Sequence, residues 1–171
     1  QRVYEPFAGN FVNPESLKKS LELTEKYLVE AFREHYKDGE LEFGKNHLIY
    51  KVSLYLLNEF IKHEVETLLS SGNPESYQKI ISLESQFKWQ MAFEYEGNEI
   101  LVLFKGKTDR VDMVNDVVRI IDYKTGSLQG AELQIKSWDR LIADPAKGKA
   151  FQLMMYAWLF FKDAGNAQFR V

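Results

Sequence analysis

From Ile81 onward the hydrophobic period of the chain changes from helical to alternating, and that change decides most of what the chain can fold into. Ile81, Leu83, Phe87, Trp89, Met91, Phe93 and Tyr95 stand against Ser82, Glu84, Gln86, Lys88, Gln90 and Glu94, the two-residue period of a strand with one buried face. The segment "EGNE" turns the chain into a second run from about 99 to 114, and Asn115-Asp116 forms a two-residue hairpin turn into a third at 117 to 124. A three-stranded antiparallel meander is the expected centre of the fold.

Helical patterns lie on both sides of it. In "NPESLKKSLELTEKYLVEAFREHYK", Asn13 is the N-cap, Pro14 sits in the first turn, and Leu17, Leu21, Thr24, Leu28, Ala31 and Phe32 share one face, which predicts one amphipathic helix. After the turn "DGELEFG", residues 45 to 70 predict a second, more apolar helix closed by Gly72 and Pro74. Beyond the meander come a helical stretch around 131 to 143, a break at "DPAKGK", the nearly all-apolar helix "AFQLMMYAWLFFKD", and a strand-like end, "AQFRV". The expected class is α/β (α+β), with a central mixed sheet made of the meander plus a later strand and flanked by helices. One domain is expected over 1–171, with a helical N-terminal part at 1–72 and a core at 79–171. A start without Met and an end in a strand-like run give the expectation of a domain excised from a longer chain.

Composition narrows the chemistry. The sequence contains no cysteine, which removes disulfides, thiolate catalysis, zinc-cysteine sites and any iron–sulfur cluster within this stretch. Oxygen and nitrogen groups must carry the function. A net charge of -3 means that a nucleic-acid partner would be met by a local basic patch. Apolar runs are short and broken, and "QRVYEPFAGNF" lacks a signal-like start, so no membrane association and a cytoplasmic location are expected.

The segment "IIDYKTG" ends a strand on an acid and a lysine two positions apart. If Asn115 and Asp116 close the hairpin without a bulge, Val114 faces Val117 and Asp109 lies directly across from Asp122. Opposed side chains there are roughly 4.5–5.5 Å apart at Cβ, and like charges repel. Lys124 projects from the same face as Asp122, while Val111, Met113, Val118 and Ile120 make the rest of that face apolar. Two carboxylates and an ammonium at the end of an apolar surface suit Mg²⁺ or a similar hard cation and metal-assisted phosphodiester hydrolysis; the simpler reading is a lysine-bridged acid pair. The same register sets Asp112 opposite Arg119 on the other face, expected as a surface-type salt bridge.

These segments resemble a known family. "GKTDRVD", a turn, "VRIIDYKTG" and then "QLMMY" are similar to the PD-(D/E)xK nuclease superfamily in its RecB-like, AddB-type branch, strongly so over about 106 to 156. The resemblance implies a restriction-endonuclease-like core and a Mg²⁺- or Mn²⁺-dependent deoxyribonuclease that leaves 5′-phosphates. It further implies work in DNA repair or recombination alongside a helicase domain or subunit. By the same resemblance Asp109 and Asp122 would ligate the metal, the Tyr123 carbonyl would complete the shell, and Lys124 would position the attacking water. Gln152 and Tyr156, one turn apart on a helix face, would support the site or touch DNA. A further ligand in this family is a histidine four residues after a glycine on an early helix. Here His47 stands three after Gly44, with Leu48 at the expected place. Glu84 is a weaker acidic candidate. His35 and His63 read as solvent-facing, and "KGK" at 147 to 149 as solvated, although a phosphate contact would be useful just before the motif helix. The alternatives are a catalytically silent nuclease-fold module that binds DNA or scaffolds a helicase complex, and a metal-dependent hydrolase of RNA or a small phosphate ester.

Overall fold

The computed structural model describes residues 1–35, 41–70, 77–124 and 126–163. They form two compact units, one from Gln1–Ile80 with Met113–Val117, the other from Ile81–Asp112 with Val118 onward.

In the first unit, helix α1 (Pro14–Lys19) starts where the sequence predicts, because the Asn13 side chain accepts from the backbone N–H groups of Glu15 and Ser16 and so satisfies two donors of the open first turn. It does not run on as one helix. A 3-10 turn at Ser20–Leu23 separates it from α2 (Thr24–His35). The physical reason lies at buried Thr24, whose hydroxyl oxygen is 2.8 Å from the Leu21 carbonyl and 2.6 Å from Asn58 Oδ1. Such a hydroxyl competes locally with the helical ladder. Asn58 belongs to α3 (Gly44–Ser70), which begins at a glycine with φ +69°. Tyr50 of α3 donates to Glu25 at 2.7 Å, and burial, aided by that bond, pushes its phenol up to about 12. The first three residues of the expected turn "DGELEFG", 38 to 40, and the stop at Gly72 and Pro74 lie outside the described residues.

The strands are β1 (Phe11–Val12), β2 (Gln78–Tyr95), β3 (Asn98–Val114) and β4 (Val117–Ile121), hydrogen-bonded in that order. Strand β1 has no signature of its own, because two residues carry no period; it pairs antiparallel with β2, with Phe11 opposite Lys79 and Val12 opposite Gln78. The two hairpin turns have the predicted chemistry. Glu96 and Gly97 (φ 51° and 75°) and Asn115 and Asp116 (φ 48° and 66°) are all left-handed, as two-residue turns that match the strand twist require. Asn115 Oδ1 also accepts from the Tyr77 N–H at 3.1 Å, and the Tyr77 hydroxyl bonds Asp116.

In the second unit, the predicted helix around 131 to 143 is two short ones, α4 (Gly130–Leu133) and α5 (Trp138–Ala143), followed by a 3-10 turn at Pro145–Lys147 and then α6 (Gly148–Asp163). Helix α6 covers one sheet face. Phe87, Val111 and Leu159 form the buried centre there, with Trp89, Phe104, Val118, Ile120, Trp158 and Phe160 packed around them, and edge-on ring pairs join Phe87 to Phe160 and Phe104 to Trp158. The α+β class is as expected, with an antiparallel sheet; the later strand, "AQFRV", lies outside the described residues. Among the described residues no helix is long and apolar enough to cross a membrane.

Candidate functional site

Asp109 on β3 reaches the backbone beside Asp122, which lies just past β4. Asp109 Oδ2 accepts the Tyr123 N–H at 2.6 Å, which explains why β4 ends at Ile121 and not at 124: the next free N–H goes to a side chain and not to a strand partner. Lys124 Nζ pairs with Asp122 Oδ2, the lysine side chain 35% exposed and the aspartate 10%. The bond to Asp122 holds the Lys124 ammonium above the ordinary lysine range despite desolvation, and the charges of Asp122 and Asp109 add to it. Lys124 is therefore a cation at neutral pH.

The Gly-x-x-Asp spacing needs a physical account, since alternation would put Gly106 and Asp109 on opposite faces. Phe104 packs on Trp158 of α6, and a Cβ at Gly106 would lie 2.8 Å from Leu159 Cδ1 and 2.9 Å from Tyr156 Cδ1. Val111 joins the same core. The inward positions thus change from even to odd between Gly106 and Asp109, the phase shift that one extra residue in a strand produces. On neighbouring β2, Glu84 has φ +52° and its carboxylate pairs with Lys107 inside that interval. Glu84 is therefore a partly exposed, ion-paired residue at a strand irregularity. Gly106 leaves the space that Tyr156 occupies, and Gln152 Nε2 donates to the Tyr156 hydroxyl at 2.6 Å. Gly106→Ala is expected to cost about 1–3 kcal/mol by overpacking and to lower activity further by displacing Tyr156; melting and cleavage of the variant check both.

A model of the PD-(D/E)XK nuclease superfamily matches residues 1–170. The chain belongs to the PD-(D/E)XK nuclease superfamily. Comparison with curated proteins and with solved structures returned no match. In this PD-(D/E)XK chain, then, Asp109, Asp122, Lys124, Gln152 and Tyr156 all lie in the second unit. The donor set fits a hard divalent cation. Each aspartate keeps one oxygen beyond its bond to Tyr123 N–H or Lys124, and Mg²⁺ is commonly held through one or two carboxylates with waters completing its shell. Among the described residues no three His, Cys, Asp or Glu side chains gather in one place. His47, in the first unit, has Nδ1 2.7 Å from the Leu41 carbonyl; a carbonyl only accepts, so Nδ1 carries the proton and Nε2 is the basic nitrogen of the neutral ring.

The opposite face of β3 carries what the sequence reading missed. Arg119 grips Asp112 through two bonds of 2.8 Å, the predicted cross-strand pair, but Asp112 is fully buried and not at the surface. Arg110, 1% exposed, pairs with the same carboxylate at 3.2 Å, and its guanidinium lies 5.7 Å from the centre of the Tyr123 ring. Tyr123 is thus held at its N–H by Asp109 and against its ring by Arg110. The signal was present in "TDRVD", where Arg110 and Asp112 are two apart and share a face.

Proposed function

We propose that this nuclease-superfamily chain hydrolyses DNA phosphodiester bonds with Mg²⁺ or Mn²⁺ bound by Asp109 and Asp122. The Tyr123 carbonyl is the third protein ligand in this reading. The observation that carries it is that the Asp122–Lys124 ion pair and the Asp109 bond to the Tyr123 N–H fall on three consecutive residues at the end of one strand. The bound ion would polarise the phosphoryl oxygen and lower the pKa of a coordinated water. The chain's own groups do the rest. Lys124, charged at neutral pH, orients the attacking water and offsets negative charge as it builds on the phosphate. Gln152 and Tyr156 hold one another by their hydrogen bond and fix the helix wall beside Lys124. The order of motifs supports a RecB-like role in repair or recombination beside a helicase, with 5′-phosphate products. Labelled DNA, RNA and a chromogenic phosphodiester, each incubated with Mg²⁺, Mn²⁺ or EDTA, test the proposal. DNA cleavage that stops in EDTA is expected. Full activity in EDTA sinks the metal mechanism, and no cleavage of DNA with either metal leaves a silent binding module or an enzyme of another ester.

Metal should also stabilise the fold through the aspartates. An ion that binds only the folded chain adds RT ln(1 + [L]/Kd), about 1.4 kcal/mol at tenfold excess over Kd. Asp122→Asn should abolish the Mn²⁺-induced rise in melting temperature. In EDTA the same variant should melt close to the parent, because the loss of the Asp122–Lys124 ion pair offsets the relief of repulsion between the two aspartates. A rise that persists in Asp122→Asn would show that Asp122 is not a ligand.

A further inference from the structure

Ahead of α6, a pocket of about 160 Å³ opens between the segments around α4 and α5, lined by Lys136, Ser137, Arg140, Leu141, Asp144 and Lys147 among others. Its charge runs against that of the chain. Three cations face one acid there, whereas the whole sequence carries -3. Asp144 is already engaged as a cap, accepting the Ala146 N–H at 2.9 Å, and Lys147 is braced against the Ala131 carbonyl. Among the described residues neither Lys136 nor Arg140 makes an ion pair. Leu141, 5% exposed, floors the pocket, so the cations stand over an apolar base where a captured anion is poorly screened. Trp138, next in the chain to pocket-lining Ser137, is 62% exposed. Lys147 directly precedes α6, and a rise of about 1.5 Å per residue puts Gln152 and Tyr156 roughly 6 and 12 Å along that helix.

We propose that this pocket binds a phosphate group of the nucleic-acid strand a few nucleotides from the cut, with Trp138 as the platform for an adjoining unpaired base. The proposal rests on the nucleic-acid reading above and adds a second holding point to it. A cationic pocket beside an exposed aromatic ring is the pairing that sequence-tolerant recognition of single strands uses: charge for the backbone, a π-face for the base. A single strand held there would have two fixed points ahead of the site, one for a phosphate and one for a base.

The test is binding of a fluorescein-labelled oligothymidylate to the full chain in EDTA, where a metal-dependent site cuts nothing, as a function of salt. Lys136→Gln/Arg140→Gln should melt like the parent and shrink the slope of log affinity against log salt by about 0.7, the loss of one phosphate contact on a single strand. Trp138→Ala should weaken binding about tenfold with the slope unchanged, because stacking carries no charge. Unchanged affinity and slope in the double variant overturn the pocket, as does an equal change in the control Lys88→Gln/Lys105→Gln on the β2–β3 hairpin. Unchanged affinity in Trp138→Ala overturns the platform. If the parent binds no oligonucleotide, the nucleic-acid reading fails separately, and inorganic phosphate then judges the pocket by melting temperature. A rise seen in the parent and lost in the double variant assigns the pocket to a free phosphate; no rise in the parent overturns it.

Discussion

Lys124→Ala is expected to lower DNA cleavage by about 100- to 1,000-fold, the usual loss when a group aimed at transition-state charge is removed, while Asp109 and Asp122 continue to bind metal. The division of labour follows from the bonds at the site. Lys124 reaches Asp122 by an ion pair, whereas Asp109 is held by the Tyr123 N–H. Removing the ammonium leaves both carboxylates in place and with less cationic competition, so the Mn²⁺-induced rise in melting temperature should survive. The raised Lys124 pKa fixes the sign of the pH effect. A lysine whose pKa is raised by folding contributes stability that is fully present below its unfolded pKa, about 10.4, and is lost as pH rises through the folded value. The Asp122–Lys124 contribution is therefore constant across the neutral range. Any loss of cleavage on the acid side must come from another group. Single-turnover cleavage and metal-dependent melting, measured on the same preparation, check the prediction. Cleavage at the parental rate in Lys124→Ala would remove the lysine from the mechanism.

The parts of the site that were legible in the sequence were those set by local rules. Asn115-Asp116 adopts two left-handed residues, and once the turn is fixed, Asp112 must meet Arg119, as their two bonds show, while Asp109 bonds the backbone of Tyr123, the neighbour of Asp122. What stayed hidden depended on distant partners or on burial. Thr24 interrupts the first helix with help from Asn58, 34 positions away, and no periodicity anticipates that. The phase shift between Gly106 and Asp109 breaks the alternation rule itself, so only the motif spacing hinted at it. The burial of Asp112 and Arg110 was unreadable because a charged residue on the polar half of an alternating strand looks solvated until something is known to cover it.

That burial changes the expectation for Asp112 from a surface pair worth roughly 0–1 kcal/mol to one of the largest single losses available in the second unit. Asp112 is the shared acceptor of Arg119 and Arg110 and is 0% exposed. Asp112→Asn keeps the shape but removes the charge, leaving the guanidinium of Arg110 buried without the carboxylate beside it. Breaking a buried pair by deleting one partner typically costs about 3–5 kcal/mol, which for a chain of this size is a fall in melting temperature of roughly 6–20 °C. Arg119→Gln should cost less, because Arg119 is 35% exposed and water replaces part of what it gives up. Replacing all three by apolar residues of similar volume should recover much of the loss, since the desolvation of the charges disappears along with their attraction. Cleavage adds an independent readout. Arg110 bears on the Tyr123 ring, so the apolar triple variant should regain stability more fully than activity, whereas Asp122→Asn should lose activity with little net change in stability. Melting in EDTA together with cleavage in Mn²⁺ separates the two variants. If Asp112→Asn melts within about 2 °C of the parent, a difference of no more than about 1 kcal/mol, the carboxylate is not the buried hub of this face, and the strand register that also brings Asp109 to Asp122 must be redrawn.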